Sequence, residues 1–122
     1  MSVRPTYPFE KLRVWGEARE LVKKVYRLTK SFPRSEVYGL TSQTNRAAVS
    51  VAANLAEGSA RTSRKDQTHF SQMAYSSLME LACLLILGVD LEFADPADEY
   101  QLRDEIELLS RKINALRKTQ LS

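Results

Sequence analysis

Read for the spacing of its apolar positions, the chain divides into four stretches separated by short punctuation. In the first, about 9–31, Trp15, Ala18, Val22, Val25 and Phe32 recur at helical intervals, with Val14, Leu21 and Leu28 on a flank, and Phe32-Pro33 closes it. The second, about 35–58, sets Leu40, Thr44, Ala47, Val51 and Leu55 on one face. It is also rich in small residues (Ala47, Ala48, Ser50, Ala52, Ala53, Ala56 and Gly58), which let a neighbouring helix approach closely. The third, about 63–93, opens on Ser63-Arg64-Lys65-Asp66, a capping box with Asp in place of the usual Glu, and follows Phe70, Met73, Ala74, Ser77, Leu81, Leu84 and Gly88. Asp95-Pro96 supplies a cap and a proline at the first helical position. The fourth stretch, about 96–119, carries Leu102, Ile106, Leu109, Ile113 and Leu116 in steps of four and three, the pattern of a bundle seam.

These four segments predict an all-α fold: one antiparallel, up-down-up-down four-helix bundle over residues 1–122. No proline falls inside the long periodic stretches, and the intervening loops are short enough to make successive helices antiparallel. The third helix is longer than the others, and its segment Leu81–Leu91 is apolar nearly all round. A bundle helix needs only one apolar stripe, so the excess predicts a covering second subunit.

A chain of 122 residues can bury about two-thirds of its unfolded surface as one domain. The single cysteine, Cys83, lies in an apolar run and is expected in the core, in a reducing compartment. Met1–Phe9 has no apolar leader, and Leu81–Leu91 is about half the length of a membrane span, so a bacterial cytoplasmic protein with no membrane role is expected. The net charge of +3 hides a segregation of signs. Residues 1–30 hold eight Lys/Arg and three Asp/Glu, whereas residues 70–100 hold six Asp/Glu and no Lys/Arg. The particle should be electrically polarised.

A polar row, Gln43, Arg46, Ser50, Asn54 and Glu57, runs along the second helix. Arg46 and Glu57 are about 16 Å apart along the axis and cannot pair with each other. If the second and third helices turn near Arg61, Arg46 comes opposite Ser76 and within a turn of Glu80, which predicts an Arg46–Glu80 ion pair. Asn54 is expected opposite His69 and Gln72. Glu57 can reach Arg61 at i+4 or a basic group of a neighbouring subunit.

These residues also carry a family resemblance. Phe32-Pro33, Tyr38-Gly39-Leu40-Thr41-Ser42-Gln43, Arg46-Ala47-Ala48-Val49-Ser50 and Asn54-Leu55-Ala56-Glu57-Gly58 resemble the four-helix bundle proteins encoded in intervening sequences of bacterial 23S rRNA genes. The match continues through Phe70, Ala74, Ser77-Leu78 and Glu80-Leu81, and departs at Asn45, Ser76 and Ala82, where a basic residue, a glycine and a second acid are usual. The resemblance implies a bundle assembling into a ring, a homopentamer. It also implies kinship with the accessory variability determinant proteins of diversity-generating retroelements, which are linked to RNA and a reverse transcriptase. Arg46, Asn54, Glu57, Gly58 and Glu80 are then structural positions.

Chemistry is sparse. His69 is the only histidine and has no Cys or second His with which to hold a metal; Cys83 has no basic neighbour to activate its thiol. No Gly-rich phosphate loop or calcium loop occurs. No enzyme, cofactor, metal or small-molecule substrate is therefore expected. Three basic groups remain: Arg19, Lys23, Arg27 and Lys30, one stripe at helical spacing; Arg61, Arg64 and Lys65 at the second turn; and Arg111, Lys112, Arg117 and Lys118 near the C-terminus. Repeated around a ring, such patches suit phosphate-driven binding of RNA or DNA, with RNA favoured. The alternative is a scaffold ring that presents its charged faces to proteins.

Overall fold

The computed structural model describes residues 4–121, and over these it is a four-helix bundle. Its helices are α1 (Arg13–Thr29), α2 (Leu40–Ser59), α3 (Arg64–Asp90) and α4 (Pro96–Leu121). Short 3-10 turns at Pro8–Lys11 and Arg34–Glu36 precede α1 and α2. Neighbours in sequence are neighbours in space, α1 lies diagonally across from α3, and the pairing is most extensive between α2 and α3 and least between α1 and α4.

The core is a column of aliphatic side chains. Leu21 and Val25 from α1, Val51 and Leu55 from α2, Leu78, Leu81 and Leu85 from α3, and Ile106, Leu109 and Ile113 from α4 are all buried. Small residues bring α2 and α3 together: Ala47, Ala48 and Ala74 are buried, and a methyl on Gly58 would lie 3.0 Å from the Phe70 Cβ. The one wholly buried hydroxyl on α2, that of Thr44, donates to the Leu40 carbonyl at 2.7 Å and so is paired within its own helix.

Three element boundaries differ from the sequence reading, each for a local reason. α1 begins at Arg13 rather than near Phe9 because Pro8 opens a separate turn, in which the Glu10 carboxylate accepts from the Tyr7 amide, and Leu12 is extended. α2 begins at Leu40, where the Glu36 carboxylate accepts the Leu40 amide at 3.0 Å and acts as its cap. α3 stops at Asp90 rather than near Phe93. Glu92 adopts φ 63, its amide bonds to the Val89 carbonyl, and the Phe93 amide bonds to that of Gly88, which together make a Schellman stop. Phe93 then packs on Phe32, whose ring covers Gly88. At the other ends the expected caps are present: the Ser63 hydroxyl accepts from the Asp66 amide, and the Asp95 carboxylate from that of Ala97.

The apolar faces are rotated in places. Val14, Leu21 and Leu28, read as a flank, are buried, while Trp15 and Val22, read as the face of α1, are half-buried. On α3, Met73 is exposed and Leu78 takes its place in the core. Cys83, expected in the core, is exposed on the outer face of α3. By length and mean hydropathy α3 is the single helix among the described residues that could cross a membrane, yet one side of it forms the bundle core.

The stop after α3 generates a stability test. Glu92 is the one described non-glycine residue at positive φ. Glu92→Gly removes the left-handed strain and should stabilise the fold by about 0.5–1 kcal/mol after the entropic cost of glycine. Glu92→Val should destabilise it, as read from urea midpoints.

Candidate nucleic-acid interface

The up-down topology sorts the charges by end. The start of α1, the α2–α3 turn and the end of α4 meet at one pole, where Leu12, Gly58, Gln67 and Leu116 line a common hollow and the Ser71 hydroxyl donates to the Gln120 side chain at 2.8 Å. That pole carries seven cations (Lys11, Arg13, Arg61, Arg64, Lys65, Arg117 and Lys118) against Glu10, Glu57 and Asp66. The opposite pole reverses the balance: Arg27, Lys30, Arg34 and Arg103, the last bonded to Glu99, stand against Glu36, Asp90, Glu92, Asp95, Asp98 and Glu99. Antiparallel helix dipoles largely cancel, so the side chains set this polarity.

At the basic pole the local structure keeps cationic groups outward. The Arg61 guanidinium lies 4.6 Å from the centre of the Phe70 ring, while the Arg61 carbonyl accepts from the Gln67 amide, which fixes the turn. Lys65 and Lys118 are exposed and form no ion pair among the described residues. Arg117 leans back onto the Asn114 side chain at 2.9 Å.

The α1 stripe does not stay together. Four-residue steps advance about 40° round a helix, so a row spaced by four drifts. Arg19 and Lys23 turn toward α2 and line a groove there; Arg27 turns toward α4, beside Asp98 and Leu102. Arg19 stacks 5.4 Å from the Trp15 ring. Lys23 pairs with Glu20 at 3.0 Å, and this bond holds the Glu20 carboxyl below its usual pKa. Lys30 is exposed near the acidic pole. Of the third basic group, Lys112 pairs with Glu17 and Arg111 with Glu107. The structure thus joins Arg61, Arg64 and Lys65 to Arg117 and Lys118, and separates them from Arg19, Lys23, Arg27 and Lys30.

The polar row on α2 is built differently from its sequence reading. No ion pair joins Arg46 to Glu80; both side chains are exposed. The register instead brings Ser50 against Ser77, with hydroxyls 2.8 Å apart, and Asn54 donates to the Ser50 carbonyl and hydroxyl rather than meeting His69 or Gln72. Two short hydroxyls fit a close helix pair, and long charged groups reach water beside it. Glu57 is exposed and makes no bond to Arg61, which is turned onto Phe70. Gly58 is buried against Phe70. Asn45, where the resembling family usually has a cation, accepts a 2.9 Å bond from the Thr29 hydroxyl and ties α1 to α2. The sequence reading missed this bond and the two cross-bundle pairs, Lys24–Glu105 and Lys112–Glu17.

His69 is exposed, with its ring 5.4 Å from that of Phe70, and among the described residues no three His, Cys, Asp or Glu side chains gather as a metal site.

The sequence model of one protein family, described as 23S rRNA-intervening sequence protein, matches residues 10–115. No curated protein matches the chain.

The α2–α3 seam makes a clear expectation for mutagenesis. Arg46→Ala should change the unfolding free energy by less than about 0.5 kcal/mol, as for an exposed position without a partner. Asn54→Ala should cost about 1 kcal/mol through its lost bonds to Ser50. Thermal unfolding of the two variants side by side checks both.

Proposed function

This chain belongs to the 23S rRNA-intervening sequence protein family, and from its basic pole we infer a non-enzymatic, homo-oligomeric module that binds nucleic acid, RNA in the first place. The observation that carries the reading is the gathering of seven cations from three separate parts of the chain at one end of the bundle. Each phosphate neutralised there releases counterions, which is the main source of sequence-independent affinity. No base-reading arrangement accompanies the patch, so recognition is of backbone and shape.

Assembly into a ring, with five copies as the resemblance implies, would set the basic poles side by side on one face. A patch of modest strength would then act several times on one polyanion. Kinship with the retroelement accessory proteins and a cytoplasmic setting go with the same reading. Lys11, Arg13, Arg117 and Lys118 join Arg61, Arg64 and Lys65 as the contact set, ahead of Arg19, Lys23, Arg27 and Lys30.

The test is retention of the purified protein on structured RNA across a salt series. Log affinity should fall linearly with log salt, with a slope of about −0.7 to −0.9 per phosphate contacted. Lys65→Glu/Lys118→Glu should flatten that slope and weaken binding by about tenfold or more, while leaving the mass by light scattering unchanged. A protein that ignores RNA and DNA at low salt would replace this reading with that of a protein-binding scaffold. A clean monomer of 13.9 kDa would remove the ring.

A further inference from the structure

The outer face of α3 is a continuous apolar surface that the fold leaves open. Met79, Cys83 and Ile86 follow one another at steps of four and three, with Leu87 and Leu91 alongside; Ile86 is 40% and Leu91 55% exposed. Beyond Lys65 the charged residues of this helix are the exposed carboxylates Asp66, Glu80 and Asp90, the last two beside the apolar face, and no Lys or Arg occurs between Lys65 and Arg103. On α1 and α2, away from that face, lies its complement. A groove of about 380 Å³ runs between them, lined by Trp15, Val22, Val49, Ala53 and Ala56. Its charged members are Arg19 and Lys23, and no carboxylate lines it.

We propose that the outer face of α3 in one copy seats in the α1–α2 groove of a second copy of this chain. Ridge and groove share no residue, so each copy offers both at once, and the contact is heterologous. Charge decides against the other pairings. An α3–α3 contact would set Glu80 and Asp90 against their own counterparts, and a groove–groove contact would do the same with Arg19 and Lys23. The cleft between α1 and α4 sets Glu17, Glu20 and Glu105 against Arg13 and Lys24 in its lining, so it carries no net positive charge to receive the acidic ridge. A lipid surface is a poor occupant as well, since anionic headgroups attract polybasic segments and this face has no cation. Repeated head to tail, the contact closes a ring or grows a filament. It also takes Arg19 and Lys23 out of the nucleic-acid surface and leaves the basic pole open. The inference rests on the homo-oligomer reading above and specifies its interface.

Charge reversal tests it. Arg19→Glu/Lys23→Glu makes the groove acidic, and Glu80→Lys/Asp90→Lys makes the ridge basic. Each variant alone should associate about tenfold or more weakly than the native chain, because both partner surfaces now bear one sign. An equimolar mixture should associate about tenfold or more tightly than either variant alone, since each ridge then meets a groove of opposite charge wherever the two variants alternate. Five subunits cannot alternate throughout, so recovery is read as restored association and not as the native mass. Circular dichroism confirms that both variants are folded. Native mass for the groove variant alone, or folded variants that fail to recover on mixing, would overturn the docking and leave an oligomer with another interface. Quantitative oxidation of the native protein to a Cys83–Cys83 dimer would overturn it in favour of an α3–α3 contact. A native chain that stays monomeric, or that partitions onto lipid vesicles as a monomer, would overturn the docking and the oligomer together.

Discussion

The close approach of α2 to α3 is the constraint on which the rest of this molecule depends. Alanines at 47, 48 and 74, the glycine at 58 and the paired serines 50 and 77 leave room for two backbones where larger side chains would hold them apart. With that pair fixed, α1 packs on α2 and α4 on α3, and the aliphatic column between them closes. The same smallness accounts for the polar chemistry of the seam. Hydroxyls and a carboxamide satisfy one another inside it, and the longer Arg46, Glu57 and Glu80 reach solvent.

From this arrangement the electrostatics follow by topology. The sequence places cations early and late in the chain and carboxylates in the stretch after Phe70, with no visible geometric purpose. Folding back and forth converts that linear order into an axial one, because the ends of α2 and α4 meet the starts of α1 and α3. A basic pole results even though its members lie up to about a hundred residues apart in the chain.

Much of the fold was legible from spacing alone. Leu102, Ile106, Leu109 and Ile113 mark α4 as a bundle helix, and Ser63 and Asp95 announce the caps that the structure contains. Rotation of the faces was harder to read. On α1, Trp15 and Val22 have the right residue type for the core but face a groove, and hydrophobicity alone does not distinguish burial within a chain from an open apolar surface. Cys83 was misplaced for the same reason. The Arg46–Glu80 pair failed through facing and not through level. With Ser50 opposite Ser77, Arg46 comes level with Leu81, next to Glu80, yet both long side chains turn out to solvent instead of across the close seam. The end of α3 escaped because Glu92 is not a glycine, so no residue type signalled its left-handed turn. The α1 stripe was correctly spaced for a row, yet its own drift divided it between two neighbours.

The seam between α1 and α4 is the loosest of the four, and Lys24–Glu105 and Lys112–Glu17 span it. The other seams combine close packing with short neutral bonds such as Ser50–Ser77, Thr29–Asn45 and Ser71–Gln120. Partly exposed ion pairs hold weakly and are screened by salt. The molecule is therefore hinged like a book, with α2 and α3 as the spine and α1 and α4 as covers. Parting of those covers is the fluctuation this arrangement resists least, and amide protons of α1 and α4 are expected to exchange with solvent ahead of those in the spine.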